Sequence, residues 1–319
     1  MIDKITFSPE IMEKLEKLSD KFAKQGQSLS DYLDGLLHAD YLSYWEYIEL
    51  ETLLTLQKPR TEHKDEMIFV TYHQITELYF KLILWELEQI NAGEVKDAAT
   101  FLDKIKRINR YFGQLTDSFT IMTEGLNREQ FAQFRMSLLP SSGFQSVQYR
   151  LIEILSTDLI NLVHADYVLW LSPDDPVEAY MDNLYWKAGA RDMKTGKKTL
   201  TLRQFEEKYN EMMLRKAQQY KQHNLRKRMQ KFVRSGDVDI IAELRAFDHW
   251  ANVHWPLSHF RAAVRHLVSN NKVKDATGGT NWRKYLPPRF QRVVFFPELW
   301  SEEEKDNWGK SWVIKQLEN

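Results

Sequence analysis

The stretch FLDKIKRINRYFGQLTDSF, Phe101–Phe119, decides the fold class. Its apolar side chains follow one another at steps of 4, 3, 4, 3 and 4 residues: Phe101, Ile105, Ile108, Phe112, Leu115 and Phe119. An α-helix has about 3.6 residues per turn, so this spacing places them in one stripe along about five turns. Most of the residues between them are polar or charged. The stretch therefore predicts a long amphipathic helix with one face in a core.

Helical spacing continues through most of the chain. A serine followed by proline, Ser8-Pro9, is typical of a helix start and predicts a helix over 10–24. Further helices are predicted at 46–57, 65–91, 127–138, 144–168, 199–234, 237–270 and 300–316. The one strand candidate is Arg292–Phe296. We expect an all-α fold and a single domain over residues 1–319, with an N-terminal arm of about residues 1–60 and a helical excursion at 180–235.

Composition excludes several classes of protein. The chain has 319 residues and no cysteine, which rules out disulfides, thiolate nucleophiles, iron–sulfur clusters and cysteine-held zinc. Any metal must be held by histidine, carboxylate or tyrosine. The 44 Lys+Arg residues and 45 Asp+Glu residues give a net charge of −1, without the overall basic charge of a nucleic-acid-binding protein. The N-terminus has no apolar signal region, and the most apolar stretch, Met67–Ile90, carries too many charges for a membrane span. We expect a soluble, cytoplasmic protein.

The histidines are the residues most able to carry chemistry. His73 lies on a helical stripe with Phe69, while His254, His259 and further histidines cluster beside two tryptophans. No pair in that cluster has the four-residue spacing of helical zinc ligands. Spacing alone leaves two readings open: histidines buried in a helical core, or ligands. A basic run at 213–234 is interpreted as a solvated helix face.

Five motifs, in chain order, sharpen this reading. They are DEMIFVTYHQ (Asp65–Gln74) with Glu77-Leu78, Phe134-Arg135 with PSSGFQS (Pro140–Ser146), Trp255-x-x-x-His259-x-Arg261, Thr277-Gly278-Gly279, and FFPEL (Phe295–Leu299). Together they resemble motifs of the tryptophan 2,3-dioxygenase family of haem enzymes. Each motif alone is weak, but five in the same order are specific. The resemblance covers residues from about 43 to 299.

The resemblance implies how a haem would be held. His259 would be the single protein ligand of the haem iron, which suits a chain without cysteine. Ser142 and Phe119 match positions beside the cofactor. The family's cofactor is haem b, one per subunit, and its fold is an all-α bundle.

The resemblance also implies a substrate site. His73 would accept a hydrogen bond from the indole N–H and is the implied catalytic residue, while Phe69 and Phe131 would pack against the ring. Arg135 would bind the carboxylate of the amino acid, and Thr277 would contact its polar end. The implied partners are L-tryptophan and O2.

The family resemblance further implies assembly and activity. Tyr44 and Tyr47, on the N-terminal arm, match a segment that enters a neighbouring subunit's site in a homotetramer. The implied activity opens the indole ring of L-tryptophan with O2 to give N-formyl-L-kynurenine, the first step of tryptophan catabolism by the kynurenine route. Two alternatives stay open: a haem-dependent hydroxylase of aromatic amino acids on the same fold, and a haem or ligand carrier without catalysis.

Overall fold

The computed structural model describes residues 7–39, 42–139, 141–172, 174–191, 195–233, 237–269, 272–273, 287–288 and 292–310. The chain divides into two compact units, Met1–Gln57 and Lys58–Asn319. The boundary lies close to the expected end of the N-terminal arm. The single-domain organisation stays a prediction.

The first unit consists of short helices. They are α1 (Pro9–Ala23), α2 (Leu29–Leu37), α3 (Tyr44–Tyr47) and α4 (Leu50–Leu54). The Ser8 side chain accepts a hydrogen bond from the Ile11 N–H at 3.4 Å, so the predicted cap starts α1. The rings of Phe22 and Tyr32 stack at 4.3 Å and join α1 to α2. Helix α2 has no counterpart in the sequence prediction.

The second unit is helical throughout most of its described length. Its helices are α5 (Asp65–Ala92), α6 (Ala98–Asp117), α7 (Thr120–Thr123), α8 (Arg128–Phe134), α9 (Val147–Ser156), α10 (Ala165–Val168), α11 (Val177–Asp182), α12 (Tyr185–Gly189), α13 (Leu200–Tyr220), α14 (Leu225–Met229), α15 (Val238–His249), α16 (Trp255–Leu267) and α17 (Glu302–Asp306). Short 3₁₀ turns lie at Arg135–Leu138, Gly143–Gln145, Leu159–Leu162 and Pro297–Leu299. The all-α prediction is confirmed.

Helix α5 is the central element of this unit. It packs against α6, α8 and α9, while α15 packs on α6 and α13 packs on α9. The predicted stripe of α6 is buried, from Phe101 to Leu115. Helix α5 ends at Gly93, whose positive φ of 81° lets its N–H bond to the last carbonyls of the helix.

The segment predicted as a helical excursion is part of the core instead. Leu202, Phe205, Met213 and Leu225, on α13 and α14, are buried in the same hydrophobic cluster as the α5 and α6 stripes. An apolar helical face lowers the free energy of folding when it is buried, so these helices pack inward.

The predicted strand at Arg292–Phe296 is wrong. Val293, Val294, Phe295 and Phe296 are buried, but their backbone has no strand partner among the described residues. The Phe295 and Phe296 N–H groups instead donate to the buried carboxylate of Asp248, at 2.8 and 3.1 Å. A side chain on α15 thus satisfies the backbone donors that a sheet would have satisfied. The strands found in the described part of the chain form a two-residue antiparallel hairpin, β1 (Val268–Ser269) with β2 (Lys272–Val273).

Helices α15 and α16 form one continuous helical rod through a π-helical turn at Trp250–His254. The Trp255 N–H bonds to the Trp250 carbonyl, five residues back instead of four. Pro256 follows directly and has no N–H to donate. The wider turn directly precedes the proline, and the helix continues through both, as the helix predicted over 237–270 requires.

The basic run is not a solvated face over its whole length. On α14, Arg226 pairs with Asp158 and with Glu298, the latter at 3.0 Å, and Lys227 contacts Asp158 at 2.9 Å. Arg228 donates to the Asn91 carbonyl at 2.6 Å. These side chains therefore join α14 to neighbouring elements. None of the helices in the described ranges has the length and hydropathy of a membrane span.

Candidate active site

A second, smaller hydrophobic cluster forms where α5, α8 and α16 meet. Its buried members are Tyr72, Phe119, Met122, Leu126, Phe134 and Ala262, with Phe69, Phe131 and Trp255 partly buried against them. Aromatic rings make up most of the cluster. It brings together residues that are far apart in sequence and that include several predicted site residues.

Two acidic residues at the start of α5 hold this helix in place. The buried Glu66 carboxylate accepts hydrogen bonds from the backbone N–H groups of Arg60 and Thr61, at 2.9 and 2.7 Å. Asp65 accepts from the Asn127 N–H at 2.6 Å, which ties α5 to the start of α8. The acidic pair of the first motif therefore has a structural role that fixes the first two turns of α5.

His73 lies on the third turn of α5, with its ring against Phe69 at a centroid distance of 4.0 Å. Its Nδ1 lies 2.7 Å from the Phe69 carbonyl oxygen. A carbonyl can only accept, so Nδ1 carries the proton and Nε2 keeps a lone pair. The side chain borders open space, yet surrounding protein desolvates it and lowers its pKa, against the raising effects of this hydrogen bond and of Glu77. His73 is therefore a neutral imidazole with an acceptor nitrogen.

His259 lies on the first full turn after Pro256, opposite the α5 wall. Its ring stacks with Phe119 at 6.0 Å and with an angle of 22°. Burial, together with the nearby His73 ring, lowers the pKa of His259 to about 4, so the imidazole is neutral at physiological pH. In the described part of the chain, no hydrogen bond engages either ring nitrogen of His259.

Gly143 lies directly against the His259 ring. A Cβ atom at position 143 would come within 2.8 Å of the His259 Cε1, closer than side-chain carbons approach. Only glycine allows this contact without a shift. A neutral imidazole among aromatic side chains offers a nitrogen lone pair and is a suitable ligand for haem iron. No group of three or more histidine or acidic residues among the described residues is placed to hold a metal ion, so His259 offers its imidazole singly.

Phe131 lies on α8, and Arg135 directly follows the last residue of that helix. Arg135 is the first residue of the 3₁₀ turn after the helix, and its side chain is buried. Phe131 is 6.0 Å from Phe69 and 5.4 Å from Phe134, measured between ring centroids. The predicted aromatic residues thus share one wall with His73.

The remaining predicted residues are placed differently. The Ser142 N–H donates to the Gln145 side chain at 2.8 Å, so Ser142 takes part in a local turn beside Gly143. Thr277 lies outside the described residues. Tyr44 and Tyr47 belong to the first unit, where their side chains are exposed.

Sequence reasoning missed three contributors to the site. Gly143 was quoted only as part of a motif, although the close approach of His259 depends on it. The Gln148 amide donates to the Glu77 carboxylate at 2.9 Å and to the Glu77 carbonyl at 2.7 Å, which fixes the charge nearest His73. His266, on the last turn of α16, contacts Phe131 at 4.9 Å. Its seven-residue spacing from His259 was the available signal.

Comparison with known proteins finds a similarity over part of the chain. Residues 27–163 match the family model described as Tryptophan 2,3-dioxygenase. This part of the chain is similar to tryptophan 2,3-dioxygenases. Curated proteins of that name include one from Bacillus anthracis, 39% identical over 124 residues, which are 37% of this chain and 43% of the relative. Another, from Kineococcus radiotolerans, is 41% identical over 115 residues, 35% of this chain and 40% of the relative.

These matches cover one side of the candidate site. The matched part of the chain spans less than half the length of the curated relatives. It contains Phe69, His73, Phe131 and Arg135, together with the segment around Gly143. His259 lies beyond residue 163, where its position rests on the fold and on the motif around it.

Proposed function

We propose that this chain is a haem-dependent dioxygenase that opens the indole ring of L-tryptophan with O2 to give N-formyl-L-kynurenine. The observation that carries the proposal is the pairing of two neutral imidazoles in one aromatic recess. His73 presents an acceptor nitrogen on α5, and His259 presents a nitrogen without a hydrogen-bond partner in the described part of the chain. The similarity of residues 27–163 to tryptophan 2,3-dioxygenases supports the same reaction.

His259 would hold haem b, one per subunit, as the protein ligand of the iron. When bound, haem supplies the iron centre for oxygen chemistry. Gly143 leaves room for the His259 ring, and Phe119 packs along it. The low pKa of His259 keeps its nitrogen available as a ligand at physiological pH.

The other residues would bind and orient tryptophan. The His73 Nε2 would accept the indole N–H, because Nδ1 is already donating to the Phe69 carbonyl. This makes His73 a hydrogen-bond partner that orients the ring, since indole N–H is a very weak acid. Phe69 and Phe131 would cover the ring and exclude water, and Arg135 would bind the carboxylate. Thr277 would contact the polar end of the amino acid.

We propose further that the active form is a homotetramer in the cytoplasm. Beside its core face, α5 has a second apolar stripe, in which Ile75, Leu78, Leu82 and Trp85 are exposed at steps of 3, 4 and 3 residues. A second copy of the chain would remove this stripe from water. Tyr44 and Tyr47 would then reach a neighbouring subunit's site.

Reduced protein loaded with haem and incubated with L-tryptophan in air tests the function. We expect a product with two added oxygen atoms and the absorbance of N-formylkynurenine. One added oxygen in an intact ring would indicate a hydroxylase, and haem uptake without turnover would indicate a carrier. Light scattering on dilute, active protein tests the assembly, and a fully active monomer would contradict it.

A further inference from the structure

His266 has two contacts that the proposed reaction does not yet use. Its Nε2 lies 2.6 Å from the Met122 carbonyl oxygen, at the end of α7. Its ring lies against Phe131, with a centroid distance of 4.9 Å and an angle of 51°. The side chain is 4% exposed, so both contacts are buried. His266 therefore connects the last turn of α16 to α7 and to the aromatic wall.

The Met122 contact fixes the state and direction of the His266 ring. A carbonyl accepts, so Nε2 carries the proton and donates it. Burial lowers the pKa of His266, with Arg265 and Arg128 adding to the effect, so the ring is neutral. Among the described residues Nδ1 has no partner and is buried. One hydrogen bond thus holds a flat ring at a set angle on Phe131.

Phe131 in turn belongs to the wall that carries His73. It lies 6.0 Å from Phe69, and the Phe69 ring lies 4.0 Å from the His73 ring. Aromatic rings packed at these distances hold one another in place. The His266 ring fills space beside Phe131, so a shift of Phe131 in that direction is blocked.

We propose that His266 is a positioning residue that sets how large a ring-substituted tryptophan the site accepts. The packing of the His266 ring against Phe131 limits the movement of that ring, so Phe131 stays against the indole. This inference rests on the proposed function, because it assumes that Phe131 contacts the indole. It assigns the Met122 hydrogen bond to stability and the Phe131 contact to substrate selection.

Two variants separate these roles. His266→Phe keeps a flat ring on Phe131 but loses the hydrogen bond to Met122. His266→Gln keeps a donor near the Met122 carbonyl but loses the ring. Arg265→Ala is the matched control, because Arg265 neighbours His266 in the chain and donates to the Thr123 carbonyl at 3.3 Å, next to Met122.

The measurement is the ratio of kcat/KM for L-tryptophan to kcat/KM for 5-methyltryptophan, with thermal unfolding in parallel. One methyl group in an apolar pocket changes selectivity about tenfold or more. We expect His266→Gln to lower the ratio about tenfold, mainly through KM, with little change in Tm. We expect His266→Phe to lower Tm and to keep the ratio within about threefold of wild type, and Arg265→Ala to leave the ratio unchanged.

Three results would overturn the inference: a ratio that follows Tm across the variants, a ratio unchanged in His266→Gln, or the same shift in Arg265→Ala. Failure of the proposed function is visible separately, as a wild-type protein without N-formylkynurenine product. In that case the ratio of the dissociation constants for L-tryptophan and 5-methyltryptophan is measured in place of the ratio of kcat/KM. A wild type that binds neither would overturn both proposals.

Discussion

Two neighbouring stretches of the α15–α16 rod carry the same residue types in very different surroundings. Around the π-helical turn, His249 stacks on Trp300 at 4.8 Å, and His254 lies 4.7 Å from the Trp250 ring. Both histidines line a cavity of about 450 Å³ together with two acidic side chains and Arg245. In the first turns of α16, His259 faces Gly143 and the aromatic cluster of α5 and α8.

This difference indicates that the residues packed around each histidine decide which of the two can bind the haem iron. His254 and His259 are five residues apart, and each follows a tryptophan by four positions. Burial lowers the pKa of both, so charge does not distinguish them. What distinguishes His259 is a glycine at its ring edge and the proximity of the His73 ring across the recess.

The largest expected effect tests this comparison directly. His259→Ala should abolish stable haem binding and the Soret band, because the imidazole proposed to hold the iron is lost. His254→Ala should keep both, since His254 lies in the other cavity. Haem titration followed by absorbance spectroscopy measures the outcome. The reverse pattern would place the ligand five residues earlier.

A substitution at Asp248, beside the π-helical turn, should lower the stability of the protein and leave haem binding intact. Asp248→Asn leaves two of four buried donors, from Phe295, Phe296, Trp300 and Asn252, without an oxygen acceptor. We expect the free energy of unfolding to fall by about 2–4 kcal/mol at pH 7. Urea unfolding measures it, and exposed Asp117→Asn is the control.

The same variant has a pH signature. Burial raises the pKa of Asp248 from 3.8 to about 6, against the lowering effect of its four hydrogen bonds. Between these values the folded protein holds a proton that the unfolded chain has released, so acidification stabilises wild type through this group. The stability gap between wild type and Asp248→Asn should widen by about 2–3 kcal/mol from pH 7 to pH 4. Parallel pH curves would show that Asp248 has an ordinary pKa.

A smaller effect is expected on substrate binding at Arg135, which follows α8. A charge-assisted hydrogen bond contributes roughly 1.5–3 kcal/mol, so Arg135→Ala should weaken tryptophan binding about 10- to 100-fold with haem content intact. Tryptamine, which lacks the carboxylate, should bind poorly to wild type and respond little to the substitution. Equilibrium titration of the haem spectrum gives both constants. Unchanged tryptophan binding would mean that another residue binds the carboxylate.

The smallest expected effect tests the role of Gly143. Gly143→Ala puts a methyl group 2.8 Å from the His259 Cε1, so the imidazole must shift. Overpacking of this kind costs about 1 kcal/mol or more, and we expect haem affinity to fall about fivefold. Gly113→Ala, on α6, meets its nearest neighbour at an ordinary 3.9 Å and should leave haem affinity unchanged. Equal effects from the two substitutions would remove the special role of Gly143.

The sequence predicted the long amphipathic helices well. Helices α5 and α6 are found within a few residues of the predicted bounds, because a stripe at helical spacing is a local signal. The helix predicted at 144–168 is divided into shorter pieces. After Ser156, the Thr157 side chain bonds to the Phe295 carbonyl, and α9 ends there. That bond joins residues 138 positions apart, which no local pattern contains.

The candidate site divides in the same way. His73, Phe69 and His259 were predicted from motifs, because a motif is defined by the residue types that its chemistry requires. The tautomer of His73 and the contact between Gly143 and His259 needed coordinates, because both depend on distances between elements. Asp248 also escaped sequence reasoning. A lone acidic residue inside a helical pattern is usually exposed, and only its distant donors reveal that it is buried.

The π-helical turn at Trp250–His254 gives the rod a tolerance to changes in chain length. A five-residue turn contains one residue more than an α-helical turn of similar rotation. The π-helical turn is therefore equivalent to an α-helix with one inserted residue. Deletion of a single residue within it can convert the turn to α-helix while His259 and His266 keep their relative spacing on α16. Homologous chains that differ by one residue here would then present the same imidazole to the same recess. An alignment that places its gap after His259 would pair that imidazole with Ser258 or Phe260 of this chain.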